Sequence, residues 1–195
     1  MQANELVSKR VSYPYPRIVD KITRGTADGS GGWSTSGGYR YLDVTIDAVD
    51  TSLTVVKTLS TFAYLPSQEV SGIQCELTSS TNLRIWSQLN TSGTADCLYE
   101  LVSYKAGTVA VQSVSVNMNP ANSGNYDTTI TAVDVSRTSI WFSPSGERIQ
   151  SSSGNNIQGM EASLTSSTNL RLNVTTESGT GDVTPIVQII EFLGV

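Results

Sequence analysis

The octapeptide Leu-Thr-Ser-Ser-Thr-Asn-Leu-Arg occurs twice, at 77–84 and again at 164–171. An identity this long in a chain of 195 residues is not coincidence, so its surroundings should be copied too. They are, less exactingly. Residues 43–50 (DVTIDAVD) are matched by 127–134 (DTTITAVD), 92–96 by 178–182, and 97–104 by 185–192, all in the same order. The offset between copies rises from 84 at Asp43 and Asp127 to 87 at Leu77 and Leu164 and 88 at Cys97 and Pro185, as small loop insertions would give. Ahead of these blocks, Lys21 to Thr26 stands before the first copy as Tyr104 to Thr108 stands before the second. The chain is therefore a tandem duplication, read as repeats at 21–104 and 105–195 behind an unduplicated arm at 1–20.

Within each repeat the hydrophobic period is two. Leu42, Val44, Ile46 and Ala48 fall on one face and Asp43, Thr45 and Asp47 on the other. The second copy places Tyr126, Thr128, Ile130 and Ala132 inward in the same way. The octapeptide reads as a hairpin, with Thr-Ser-Ser-Thr as a polar turn between strands that end at Leu77 or Leu164 and resume at Asn82 or Asn169. Leu83 and Ile85 then alternate with Arg84 and Trp86, as Leu170, Leu172 and Val174 alternate with Arg171, Asn173 and Thr175. In Val109, Val111, Val114, Val116 and Met118 one extra residue near Gln112–Ser113 predicts a β-bulge. Residues 187–192 read as a closing strand, apolar on both faces apart from Gln188 and Glu191 and so well buried. Each repeat supplies five or six short strands, enough for a small antiparallel β-sandwich of jelly-roll or Ig-like type, and the fold class is all-β. Two Gly/Ser-rich stretches, 27–38 and 144–156, read as a mobile loop and a long excursion. Trp33, among the glycines, is either an exposed contact or an anchor for that loop. Core packing is the first expectation for Trp86 and Trp141.

Charged residues make up only 15% of the chain and the formal net charge is −5, so no basic face exists to neutralise phosphates, and nucleic acid is not an expected partner. No apolar run reaches the roughly 20 residues of a membrane span, and the N-terminus lacks the apolar core of a signal peptide. The sequence thus reads as a soluble cytoplasmic product with no membrane partner. Histidine is absent, which removes Ser-His-Asp and Cys-His catalysis and the usual zinc sites. The glycines at 29–38 fit neither G-x-G-x-x-G nor a P-loop. Asp43, Asp47 and Asp50 could serve as a calcium site or as paired carboxylates, but Asp47 becomes Thr131 in the second copy, so strand-end structural roles are favoured. No catalytic residue, metal or cofactor is expected. Cys75 and Cys97 could bridge two strands, yet the second repeat has Ala162 opposite Cys75 and no cysteine near the other, which favours two small core residues. In the arm, Tyr13, Pro14, Tyr15 and Pro16 force extended backbone and read, with Trp33, as candidate subunit contacts.

Arg24-Gly25-Thr26, then 45–52, then 76–81, then 187–192 together resemble a repeat found in virion structural proteins of tailed bacteriophages. Two departures stand out: the first repeat ends in Tyr99 to Tyr104, and its compact first strand is replaced by the glycine loop. The resemblance implies a non-enzymatic structural protein made in a bacterial host's cytoplasm and destined for the virion. It implies a capsid decoration (cement) protein whose partners are the major capsid protein and copies of itself, with a homotrimer by analogy. Two other readings remain open. One is a fibre or collar adhesin that binds a host glycan through Trp33, Trp141 and the 144–156 loop. The other is a carbohydrate-active enzyme using Asp43 or Asp47.

Overall fold

A computed structural model describes residues 18–28, 32–36, 39–64, 73–87, 94–118, 123–142, 157–176 and 184–194. The strands are β1 (Val19–Ala27), β2 (Ser34–Ser36), β3 (Tyr39–Thr45), β4 (Thr54–Tyr64), β5 (Ile73–Ser79), β6 (Asn82–Ser87), β7 (Thr94–Tyr104), β8 (Val109–Ser115), β9 (Gly124–Thr129), β10 (Thr138–Phe142), β11 (Ile157–Ser166), β12 (Asn169–Thr176) and β13 (Ile186–Phe192). Among the described residues the only helical piece is a 3-10 turn at Val135–Arg137. The chain is all-β, and its sheets are antiparallel throughout.

The duplication is written into the topology. One sheet of the first half runs β1-β7-β4 and its counterpart in the second half runs β8-β13-β10; the other pair is β3-β6-β5, extended at one edge by β2, and β9-β12-β11. Apolar alternation puts one face of each sheet against the other of its half, which buries the largest apolar area available to short strands. In the first half Leu83 and Ile85 of β6 and Ile73 and Cys75 of β5 meet Cys97, Tyr99 and Leu101 of β7. In the second, Leu170, Leu172 and Val174 of β12 meet Val187 and Ile189 of β13.

Several details depart from the sequence reading. The strands that carry Asp43 and Asp127 end at Thr45 and Thr129, so the alternation stops there. Ala48 and Ala132 are exposed, while Val49 and Val133 turn in to their cores. Strand β8 has no bulge: its register against β13 is unbroken from Val109 opposite Phe192 to Ser115 opposite Ile186. Its valines change face because both faces are covered, Val114 by its own half and Val109 and Val111 by the other. The first repeat keeps its first strand as β1. Judged by the residue each opposes, Thr26 (opposite Leu98) corresponds to Ser115 (opposite Ile186), not to Thr108. Part of the glycine stretch is strand β2, and Trp33 packs on the first core. Trp86 lies on the outer face of its sheet, paired with Tyr41. The 144–156 excursion and residues 1–17 lie outside the described residues.

A third apolar cluster joins the halves: Val55, Val109 and Ile190, flanked by Leu53, Tyr104, Val111 and Trp141. Here β4, the edge strand of its sheet, rests on the outward face of β8-β13-β10. An edge strand leaves peptide groups without ladder partners, and burying them unpaired would cost more than the contact gains. Gln188 resolves this with its side chain. Its Oε1 accepts from the Val56 N–H at 2.7 Å and its Nε2 donates to the Val56 carbonyl at 2.6 Å, so a primary amide takes the place of a neighbouring peptide. Gln74 supports the same seam, its Oε1 accepting from the Ile186 N–H at 3.0 Å. Lys57 lies 4.0 Å above the Trp141 ring.

Position 188 needs both a donor and an acceptor, so Gln188→Glu should weaken the seam by roughly 2–3 kcal/mol through a buried charge facing the Val56 carbonyl. Denaturant unfolding followed by Trp fluorescence should then resolve two transitions where the parent shows one. Gly25 makes a second test, because a Cβ there would collide with the Tyr99 ring that covers it from the neighbouring strand. In the second half the equivalent pair is Val114 and Val187. Gly25→Ala should lower stability by about 1–3 kcal/mol, and the Gly25→Val, Tyr99→Val double variant should recover part of that loss in thermal unfolding.

Candidate interaction surface

Every residue of the duplicated octapeptide has a structural task, and the task is the same in both halves. Leu77 and Leu83, with Leu164 and Leu170, face the cores. Ser79 Oγ accepts from the Thr81 N–H at 3.3 Å, and Ser166 Oγ from the Thr168 N–H at 3.2 Å, closing two-residue turns at 80–81 and 167–168. The turn carbonyls then hold the segment beyond β3 or β9. Ile46 donates to Thr81 at 3.0 Å and Val49 to Ser80 at 2.8 Å; Ile130 donates to Thr168 at 3.0 Å and Val133 to Ser167 at 2.9 Å. The strands therefore run two residues further into the octapeptide than its polarity suggests, and the turn is correspondingly tighter.

Asparagine and arginine complete the clamp. Asn82 Nδ2 donates to Thr78 Oγ1 at 2.7 Å and to Asp43 Oδ1 at 2.9 Å, and Arg84 grips both Asp43 oxygens at 2.8 Å. In the second half Asn169 reaches Thr165 at 2.6 Å and Asp127 at 2.9 Å, while Arg171 grips Asp127 at 2.9 and 2.7 Å. A bidentate guanidinium with a further amide donor stabilises the ionised acid, so the Arg171 hydrogen bond, then that of Asn169, pulls Asp127 down to about 2 from the ordinary 3.8. Asp43 is lowered for the same reason, its Arg84 bond first. Asp50 and Asp134 are spent likewise: each accepts from the backbone N–H and hydroxyl of a serine two residues on, Ser52 at 2.9 and 2.6 Å and Ser136 at 3.0 and 2.6 Å. Asp47 makes only an exposed contact to Lys21 at 3.4 Å. Asp43 and Asp50, with their copies Asp127 and Asp134, thus hold strands and turns, whereas Asp47 does neither.

The two outer faces differ where the clamps end. On β3-β6-β5, Tyr41, Trp86 and Gln74 form one cross-strand row and Asp43, Arg84 and Glu76 the next. The Tyr41 and Trp86 rings are 5.4 Å apart, the Arg84 guanidinium lies 4.0 Å from the Tyr41 centroid, and Trp86 Nε1 donates to Glu76 at 2.6 Å. The corresponding rows on β9-β12-β11 are Asn125, Asn173, Glu161 and Asp127, Arg171, Ser163. One half therefore presents an aromatic, partly exposed patch and the other a plain polar sheet. Aromatic rings partly exposed side by side, where the other half has asparagines that serve the fold as well, are the residues that contact surfaces favour, which marks this face as the candidate contact surface. Sequence reading missed Tyr41 because its partner Trp86 is distant in the chain and was expected in the core.

Of the residues that the sequence suggested as contacts, Tyr13, Pro14, Tyr15 and Pro16 lie outside the described residues. Trp33 is half-buried against the first core, and Trp141 packs in the seam between the halves beneath Lys57. The two belong to different apolar clusters. Among the described residues no cluster of three metal-ligating side chains occurs, and no helix is long and apolar enough to cross a membrane. No protein-family model, curated protein or solved structure matches the chain.

The clamp has a pH signature. Because the folded acid is depressed, its contribution is complete above the ordinary carboxylate value and is lost as pH falls through the folded value. A carboxyl-carbon NMR titration should place the Asp127 midpoint near 2, and Arg171→Gln should move it back toward 3.8. An Asp127 midpoint at the ordinary value in the parent protein would mean that the clamp is not formed in solution.

Proposed function

We propose that this chain is a non-enzymatic virion structural protein of a tailed bacteriophage, a capsid decoration protein that binds the head shell as tandem jelly-roll or Ig-like β-sandwich modules. The observation that carries the reading is the use to which the duplicated polar residues are put. Asp43, Asn82, Arg84 and their second copies serve to lock hairpins, which is what a durable shell component needs and what a catalytic cleft would not leave free. The residue likeness to phage virion repeats points the same way. In this reading the major capsid protein and further copies of the chain, in a trimer by analogy, are the partners, and the Tyr41–Trp86 face is the surface that meets the shell.

A second reading, a fibre or collar adhesin, draws support from the same two rings, since paired aromatics beside Glu76 and Arg84 suit the apolar and hydroxyl faces of a sugar. It shifts the glycan contact away from Trp33 and Trp141, which are packed.

Cryo-electron microscopy of whole virions separates the two. The decoration reading expects many copies in lattice register on the head, and loss of head binding by a Tyr41→Asn, Trp86→Asn variant, which installs the second half's residues and should fold normally. A few copies confined to tail or collar, with glycan binding lost in that variant, would replace it with the adhesin.

A further inference from the structure

We propose that Cys75 and Cys97 form a covalent cross-link site: on oxidation they close into a disulfide that staples the two sheets of the first half together. The thiols belong to different sheets, Cys75 to β5 and Cys97 to β7, and are 22 residues apart in sequence, yet their sulfurs meet in the core at 3.6 Å. Both side chains are buried, and both are free. A second, independent observation comes from the duplication. The equivalent positions are Ala162 and Pro185, so the fold does not require cysteine at either place, and the half that has one cysteine has its facing partner as well. Core residues chosen only for size would not need to come as a facing pair.

The chemistry requires an oxidant, and a low-molecular-weight disulfide suffices. One protein thiolate attacks a sulfur of that disulfide and expels one thiolate; the second protein thiolate attacks the resulting mixed disulfide at the protein sulfur, forming the Cys75–Cys97 bond and expelling the other. Two protein thiols are oxidised, one small disulfide is reduced, and the two protons pass to the two leaving thiolates. The hydrogen bond between the two sulfurs lowers the Cys75 thiol and, with burial, holds Cys97 above its ordinary value, so Cys75 attacks first and Cys97 second; in the folded protein the first step is slow because both thiols are buried in the core behind the edge strand β5. The cross-link is thus absent in a reducing compartment and is gained outside it. This inference does not depend on the virion reading.

The test is made on the full chain, both by exposure of the folded protein to oxidised glutathione and by refolding from denaturant in its presence, so that access cannot limit the outcome. Alkylation of remaining thiols and peptide mapping should find a linked Cys75–Cys97 peptide. The melting temperature should exceed that of the reduced protein by roughly 5–10 °C, the value for a closed loop of this length in a chain of this size. Cys75→Ala, which copies Ala162, and Cys97→Ala should fold and show no oxidant-dependent shift. Free thiols or separate glutathione adducts after refolding, or a linked protein that melts no higher than the reduced one, would overturn the proposal.

Discussion

The bidentate grip of an arginine on an aspartate across two strands, made once in each half, is the interaction on which the rest depends. Arg84 and Arg171 fix which residue of β6 or β12 lies opposite Asp43 or Asp127, and a strand that slipped by one residue would turn Leu83 or Leu170 to solvent. Because the same asparagine that touches the aspartate also ties down the threonine before the turn, register and turn are set together. The carbonyls at the turn then capture Val49 and Val133, which close one end of each core. A short polar peptide thereby controls burial of apolar residues distant from it in sequence.

Against that constraint the freedom left to the two halves is visible in what changed. Gly25 under Tyr99 and Val114 beside Val187 fill equivalent space by different divisions of volume. Cross-strand pairs tolerate such exchange so long as the sum is kept, since interiors are packed to nearly constant density. The outer faces obey no such sum. There Tyr41 and Trp86 stand where the other half has Asn125 and Asn173, and nothing in the fold demands either choice.

Much of this was legible in the sequence, and the reason is specific. A period of two survives wherever one face is buried and the other wet, so the strand set, the hairpin and the inward Leu83, Leu170 and Leu172 could be read directly. What failed was every place where that premise fails. Strand β8 is covered on both faces, so Val111 and Val114 look like a bulge and are not one. Val49 and Val133 lie past the last ladder bond, where alternation has no meaning. Core packing is the default for a tryptophan in a strand, although the alternation of Leu83 and Ile85 with Arg84 and Trp86 already placed Trp86 on the outer face. The seam between the halves left no periodic trace, because Gln188 acts through an amide that sequence patterns count as merely polar. Even the jelly-roll or Ig-like label goes further than alternation alone reaches, since period two fixes faces and not strand order.

The contact between the halves is directional, because the side chain that receives β4 is not repeated in the other copy. Gln188 sits where the first half has Glu100, and Glu100 lies between Lys57 on one neighbouring strand and Arg24 on the other, held by Arg24 at 2.6 Å and by Lys57 at 3.5 Å. An edge strand from another molecule, arriving on that face as β4 arrives on its own partner, would find an acceptor where an N–H donor is needed and a pair of cations already bound to it. The first half therefore does not repeat on this face the amide contact that Gln188 makes in the second. The amide that receives β4 in one half is thus a carboxylate already held by two cations in the other, so the two copies of one strand have taken up opposite hydrogen-bonding characters.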